Sequence, residues 1–466
     1  MTVADARRAC SCSDFSRTDL FRRVAAQAGS GLPAIEPGMP TPAGTGLSRR
    51  SFLLRTAGVA VAVYGGGALN GRLLEDGIAH AAVHGTGNGR VLVSVFLEGG
   101  IDSLNVLFPA FDGRYYDLRP QLALKQSDGT PFAEDPRLRW HPSAAALDTL
   151  HREGKVSVMP GIGYDHPDKS HFTSRHYWEV GATDAHVVTG WLGRFLDVTG
   201  SPDNPLQGLS LDNLLQPALA TGRVPVASLD GPDRYAYVVP KLEAENDLLD
   251  ALAELGRVNA KAKDPALRQA AAAAAQAHRL RSDLHAFDGG IKSPVAYPNA
   301  SGNNADFPRR LQGLAAMLAQ GLPLRAVALR APGMFDTHSD QANELASDLK
   351  LAADSLLAFQ RDLEARGLAD RVLVHVWSEF GRRAKENGSL GTDHGAAGVG
   401  FLIGSRARGK MVGEFPGLQN LDEQGNLRPT SDFRGVYSAL FEQWFDTDAA
   451  QVIPNASQFA RPALLK

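Results

Sequence analysis

One seven-residue run constrains the fold more than any other stretch of this chain. Val91-Leu92-Val93-Ser94-Val95-Phe96-Leu97 is apolar, β-branched and almost unbroken. A strand with one wet face alternates apolar and polar residues, whereas an unbroken run suits a strand buried on both faces. Burial on both faces requires a mainly parallel sheet covered by helices above and below. The run stops at Glu98-Gly99-Gly100-Ile101-Asp102-Ser103-Leu104-Asn105. Two glycines let the backbone turn sharply there. They place the Asp102 carboxylate at the carboxyl edge of the sheet, where open α/β sheets bind ligands. Asp102 is therefore a candidate metal ligand, against the plainer reading of a turn or helix N-cap aspartate.

The same pattern recurs along the chain. Lys155 to Pro160 reads as a strand that runs into a glycine turn, Gly161-Ile162-Gly163, and then a helix over 174–180. Ser170 or Thr173 would stand near that helix N-terminus, where backbone N–H groups and the helix dipole favour an anionic oxygen. Either is a candidate nucleophile or anion contact, against a plain N-cap serine. Lys169 is a candidate contact for an anionic substrate. His166, His171 and His176 crowd the region, and one of them is a candidate support for the ligands. Leu324 to Leu329 is the next strand and leads to Met334-Phe335-Asp336-Thr337-His338. Asp336 and His338 are two residues apart, so an extended backbone points both the same way. A long amphipathic helix is expected over 343–367. Val372 to Trp377 is a further strand, and it releases Ser378, Glu379, Arg382 and Arg383. A Gly-rich loop then delivers Thr392-Asp393-His394-Gly395, and the apolar run Val399 to Ile403 closes the segment. Several strand ends thus send carboxylates and imidazoles toward one edge, which is what an oxygen/nitrogen metal site needs.

The chain ends of this pattern are bounded by composition. A length of 466 residues exceeds one small core. A net charge of −3 leaves no electrostatic footprint for nucleic acid. Residues 1–47 have no sustained period and read as disordered. Ser48-Arg49-Arg50-Ser51-Phe52-Leu53 looks like a twin-arginine export motif. The weakly apolar segment Thr56 to Leu69 follows, and Ala79-His80-Ala81 fits a small-residue cleavage site. The expectation is a removable leader over 1–81, handled by the twin-arginine translocase through Arg49 and Arg50. The mature chain, 82–466, would be one α/β domain without a stable membrane span, periplasmic or extracellular. Both cysteines, Cys10 and Cys12, fall in the leader, so no disulfide or thiolate site is expected after it. Residues 241–307 hold a strongly helical block and a Gly/Asn/Ser/Pro-rich loop, expected as a helical cap or lid over the site.

The segments LEGGIDSLN, SHF, GWLGR, DTHSDQ, SEFGRR and GTDHG occur in this order behind the twin-arginine motif. In that combination the chain resembles the bacterial family called domain of unknown function 1501, which is grouped with the alkaline phosphatase and sulfatase superfamily. The resemblance implies a doubly wound, alkaline-phosphatase-like α/β sandwich with a metal site at the strand ends. It implies Ser170 as nucleophile and Asp102, Asp336, His338, Glu379 and His394 as metal ligands. Arg382 and Lys169 would face the anionic group. The cofactor would be one or more divalent cations, zinc foremost, with manganese, magnesium or calcium also suited to oxygen and nitrogen ligands. The implied activity is hydrolysis of phosphate or sulfate esters by in-line displacement. The chain departs from the superfamily where Glu379-Phe380 stands in place of a consecutive Asp-His, which removes one imidazole. Ser170 also lacks the Cys-x-Pro-x-Arg context of sulfatases. The missing imidazole motivates the alternative, a non-catalytic extracellular binding protein on a degenerate scaffold.

Overall fold

The computed structural model describes residues 63–64, 89–235 and 245–466. Arg49, Arg50, both cysteines and nearly all of the expected leader lie outside them. The central sheet contains β1 (Val91–Phe96), β2 (Val156–Gly163), β3 (Gly208–Ser210) and β4 (Val226–Ser228). It continues with β5 (Ala326–Arg330), β6 (Val372–Trp377), β9 (Gly398–Ile403) and the two-residue β10 (Ser431–Asp432). Between β6 and β9 the chain makes a separate hairpin, β7 (Arg382–Glu386) and β8 (Thr392–His394). The spatial order is β4-β3-β5-β1-β6-β9-β2-β10, and a two-residue strand, Val63–Tyr64, pairs antiparallel with β4. From β4 to β6 every neighbour is parallel. Apart from the Val63–Tyr64 edge, β9 alone among the described strands of this sheet runs against its partners, between β6 and β2. The expected doubly wound, mainly parallel α/β sheet is therefore the fold.

β1 lies at the middle of this sheet with all six residues buried, as its unbroken apolar run requires. Its side chains alternate between two cores. Val91, Val93 and Val95 join a cluster with α2 (Ala145–Arg152), α7 (Asp306–Ala319) and α8 (Gln341–Ala365). Leu92 and Phe96 join a second cluster with α3 (His171–Val180), α4 (Trp191–Thr199) and α9 (Phe433–Trp444). Period-two strands thus feed two faces, and period-3.6 helices cover each.

α5 (Glu245–Asn259) and α6 (Pro265–Leu284) form a helical hairpin within the stretch expected as a cap. Leu280 and Leu284 of α6 are buried in the first core, and Gln276 and Arg279 donate to the carbonyls of Pro202 and Asp203, in the loop that leads into the amino end of β3. Further along the same stretch, Asn304 Oδ1 accepts from the Gly333 N–H beyond the carboxyl end of β5.

Candidate metal centre

The site is assembled where four strands end. β1 ends in Gly99 (φ +113°) and Gly100 (φ +75°), a backbone that only glycine adopts without strain. Space demands glycine as well. A Cβ on Gly99 would stand 2.3 Å from the backbone nitrogen of Asp336, and one on Gly100 would stand 2.4 Å from the Phe380 ring. The tight turn therefore lets the segment after β5, carrying Asp336 and His338, close against the end of β1. The Phe335 N–H donates to the Glu98 carbonyl at 2.7 Å, and the Thr392 N–H donates to the Thr337 carbonyl at 3.1 Å. These bonds lock the Asp336–His338 segment to both β1 and β8. β2 feeds the loop before α3, whose first residue is His171.

Three ligand atoms converge, His171 Nε2, Asp336 Oδ1 and His394 Nε2, all within 4.8 Å of one another, and His338 Nε2 adjoins two of them. Asp336 Oδ1 lies 3.0 Å from His338 Nε2, 3.2 Å from His394 Nε2 and 3.3 Å from His171 Nε2. His394 Nε2 lies 3.0 Å from the Nε2 atoms of both His171 and His338. Ligands about 2.0–2.1 Å from a tetrahedral zinc would stand about 3.3 Å apart, so the spacing fits one such cation.

The far side of each imidazole decides its tautomer. His171 Nδ1 is 2.7 Å from Glu379 Oε1, His394 Nδ1 is 2.8 Å from the Lys169 carbonyl, and His338 Nδ1 makes a looser 3.4 Å approach to Asp393 Oδ1. An oxygen acceptor at each Nδ1 places the proton there and leaves each Nε2 lone pair aimed inward. The group is partly open to solvent, with side-chain exposures of 12, 23 and 18% for His171, His338 and His394 and 6% for Asp336.

Electrostatics keep the centre anionic. Burial raises the Asp336 pKa, but hydrogen bonds from rings protonated at Nε2 and the adjacent Arg382 charge outweigh it and hold the carboxyl far below the usual range; a cation taking the Nε2 lone pairs would displace those protons. Burial likewise raises that of Glu379, and the His171 hydrogen bond and the nearby Arg175 charge bring it below its ordinary value. Glu379 also accepts from the Gly99 and Gly100 N–H groups and from the Ser378 hydroxyl.

The expected ligands therefore divide. Asp336, His338 and His394 come together. Glu379 stands behind His171 and holds its ring, because its oxygens are already taken by backbone N–H groups on the far side. Asp102 is elsewhere: it caps α1 (Ser103–Val106) through Leu104, and its fully buried carboxylate pairs with Arg119 and accepts from Gln341. With both oxygens consumed it is the N-cap of the plainer reading, not a ligand. Arg382 is also not open to a substrate. It is fully buried, and its guanidinium donates to the carbonyls of Gly99, Gly100, Phe335 and Thr392 as well as to Asp336. It is a clamp for the loops and a counterion for Asp336. Lys169 is half-buried and its ammonium donates to Gln424.

Ser170 occupies the N-cap of α3, and its side chain makes no capping hydrogen bond. Its N–H donates to Asp168 Oδ1 at 2.7 Å. The residues on either side are both tied to the cluster, Lys169 through its carbonyl and His171 through its ring, which sets the Ser170 backbone at the edge of the centre. His171 is the residue that sequence reasoning missed as a ligand. Its signal is a histidine just past the N-cap at a strand end, which is no weaker than the Asp-x-His pair that was recognised.

These features define a doubly wound α/β protein with a candidate cation site of His171, Asp336 and His394, flanked by His338, at the carboxyl edge of its sheet. The family described as "Protein of unknown function (DUF1501)" matches residues 165–431, more than half of the chain, and the protein belongs to that family. That stretch contains the whole cluster. No curated protein matches the sequence. Among solved structures, the chain is similar to the soluble domain of lipooligosaccharide phosphoethanolamine transferase A from Neisseria meningitidis, at 12% identity and a TM-score of 0.35 over 79% of this chain and 90% of that one. It is also similar to the zinc complex of the periplasmic domain of EcEptC from Escherichia coli, at 8% identity and a TM-score of 0.35 over 79% and 88% of the two chains. The lipoteichoic acid synthase LtaP from Listeria monocytogenes is a third, at 8% identity and a TM-score of 0.31 over 77% and 72%. Superposition at that level is too loose to carry residue roles. Among the described residues no helix is long and apolar enough to cross a membrane.

Proposed function

We propose that this protein is a metal-dependent hydrolase of phosphate or sulfate esters, exported by the twin-arginine route and working with a single divalent cation. The observation that carries the reading is the convergence of His171 and His394 Nε2 with Asp336 Oδ1, both imidazoles backed by an oxygen at Nδ1. A divalent cation held there would act as a Lewis acid toward a phosphoryl or sulfuryl oxygen. Zinc suits this nitrogen-rich set best. Arg382 shares Asp336 Oδ1, which weakens that oxygen as a donor and leaves the imidazoles of His171 and His394 as the main ligands. Three protein ligands with an open position are the pattern of a catalytic centre. Ser170 presents a hydroxyl free of a cap bond at a helix N-terminus, where developing negative charge is favoured. Its oxygen would form the bond to phosphorus or sulfur as the bond to the ester oxygen breaks, and water would then release the serine.

The test uses protein exported by its own pathway, analysed for bound metal and assayed on aryl phosphate and aryl sulfate. One cation per chain and turnover that Ser170→Ala abolishes, with the cation retained, are expected. A folded protein with neither metal nor turnover would refute the proposal. The second reading is a non-catalytic binding protein, and it rests on one observation: Arg382 already donates to Asp336 Oδ1, so the cluster is held together without a cation. A folded protein that takes up no zinc and turns over neither ester would favour it.

A further inference from the structure

Among the described residues five non-glycine residues have positive φ: His166, Asp340, Leu390, Asp446 and Asn455. Three of them fall in the loops that carry the histidines of the metal cluster. His166 precedes His171 by five residues, Asp340 follows His338 by two, and Leu390 precedes His394 by four. Histidine, aspartate and asparagine visit this region with some ease, but leucine does not. Leu390, at φ +59°, is the departure that its own chemistry does not excuse.

The hairpin tip holding Leu390 is rigid. Asn387 Oδ1 accepts from the N–H groups of Ser389 and Gly391, and the Leu390 carbonyl accepts from the Gln341 N–H at 3.0 Å. The tip is also pressed onto the cluster. Asn387 Nδ2 donates to the His338 carbonyl at 3.0 Å and to Asp393 Oδ1 at 3.2 Å, and a Cβ on Gly391 would stand 2.2 Å from the His338 carbonyl carbon. Leu390 is nevertheless 52% exposed, so its side chain is not held by core packing. A locked turn thus keeps a strained, solvent-facing apolar side chain on the hairpin tip that is pressed onto the His338 segment, and a second apolar group, the Phe380 ring, packs on His171 and His394 at the cluster itself. Asparagine or glycine would satisfy the turn with less strain. Strain that persists at a site is where function is to be sought.

We infer that Leu390 is a specificity-determining contact for the apolar part of the substrate, and that the site takes anionic esters of hydrophobic alcohols, aryl or long-chain alkyl. The inference rests on the metal-centre reading given above. In it the charged head lies against the cluster and the tail runs over the hairpin tip.

Binding is measured by calorimetry on the zinc-loaded full chain with methylphosphonate and octylphosphonate, ligands that are not turned over. The expected result is octylphosphonate at least tenfold tighter than methylphosphonate in the wild type. In Leu390→Asn, which keeps the turn, that ratio should fall to near one without loss of thermal stability. Equal affinities of the two ligands in the wild type, or a ratio unchanged in Leu390→Asn, would overturn the inference while leaving the metal centre intact. Failure of the zinc-loaded protein to bind either phosphonate would overturn both the inference and the proposed anion site. Zinc uptake measured on the same samples reports separately on the cluster.

Discussion

Glu379 gives the sharpest test of how the centre is built. Its carboxylate is almost fully buried and touches no position where a cation would sit, yet it accepts from His171 Nδ1 at 2.7 Å and from the Gly99 N–H at 3.0 Å and the Gly100 N–H at 3.1 Å. Glu379→Gln keeps the shape and removes the charge. The amide has only one oxygen, so it cannot accept from both His171 and the two backbone N–H groups. If the oxygen stays on Gly99 and Gly100, the amide NH2 faces His171, and the ring is driven toward the tautomer whose Nε2 carries the proton and cannot bind a cation. Losing such a support typically weakens metal binding by about 10–100-fold, which is roughly 1.4–2.7 kcal/mol. The alternative flip leaves a backbone N–H facing the NH2 group and costs about 1–3 kcal/mol of stability. Competition of the purified protein with a chromophoric zinc chelator gives the affinity, and thermal unfolding of the metal-free protein gives the stability. Zinc affinity within twofold of wild type together with an unchanged melting temperature of the metal-free protein in Glu379→Gln would refute the role assigned here.

Other perturbations separate the parts of the site. Arg382→Met leaves the buried Asp336 carboxylate without its counterion and strands the carbonyls of Gly99 and Thr392. The metal-free protein should lose about 3–5 kcal/mol in chemical denaturation, and added zinc should restore part of it. Leu390→Gly removes left-handed strain at an exposed position and should raise stability by about 1 kcal/mol in the same assay. His375 is fully buried between Trp191 and Tyr437 with neither ring nitrogen hydrogen-bonded, and burial lowers its pKa to about 3. Its folded pKa lies below the unfolded value near 6.5, so the unfolded chain binds the proton first and stability falls as pH drops from about 6.5 toward 3. Comparing denaturation of wild type and His375→Leu across that range should show a difference growing to about 4–5 kcal/mol. Parallel curves would show that the ring finds a partner when charged.

Local sequence determined the elements and their edges. An unbroken apolar run such as Val91–Leu97 admits only a strand covered on both faces, and the alternating side chains of β1 do serve two cores. Strand ends rich in glycine and polar groups marked the carboxyl edge of the sheet; the shared direction of Asp336 and His338 was read from extended-backbone periodicity, and His394 from its place in the GTDHG segment of the family resemblance. Ligation was not legible where a side chain had two partners to choose from. Asp102 and Glu379 are both carboxylates after glycines or at strand ends, and nothing local says that Arg119, 17 residues further on, claims one, or that two glycine N–H groups claim the other. His171 could not be told from His166 or His176, because which imidazole of a crowded loop turns inward depends on where Glu379 stands, 208 residues away. The place of α6 was open for the same reason: amphipathic helices declare that they must bury a face, and only the assembled fold decided that Leu280 and Leu284 would join the first core. Chain-local forces shape strands, turns and caps, while a hydrogen bond or an ion pair is won by whichever group the tertiary fold brings within 3 Å.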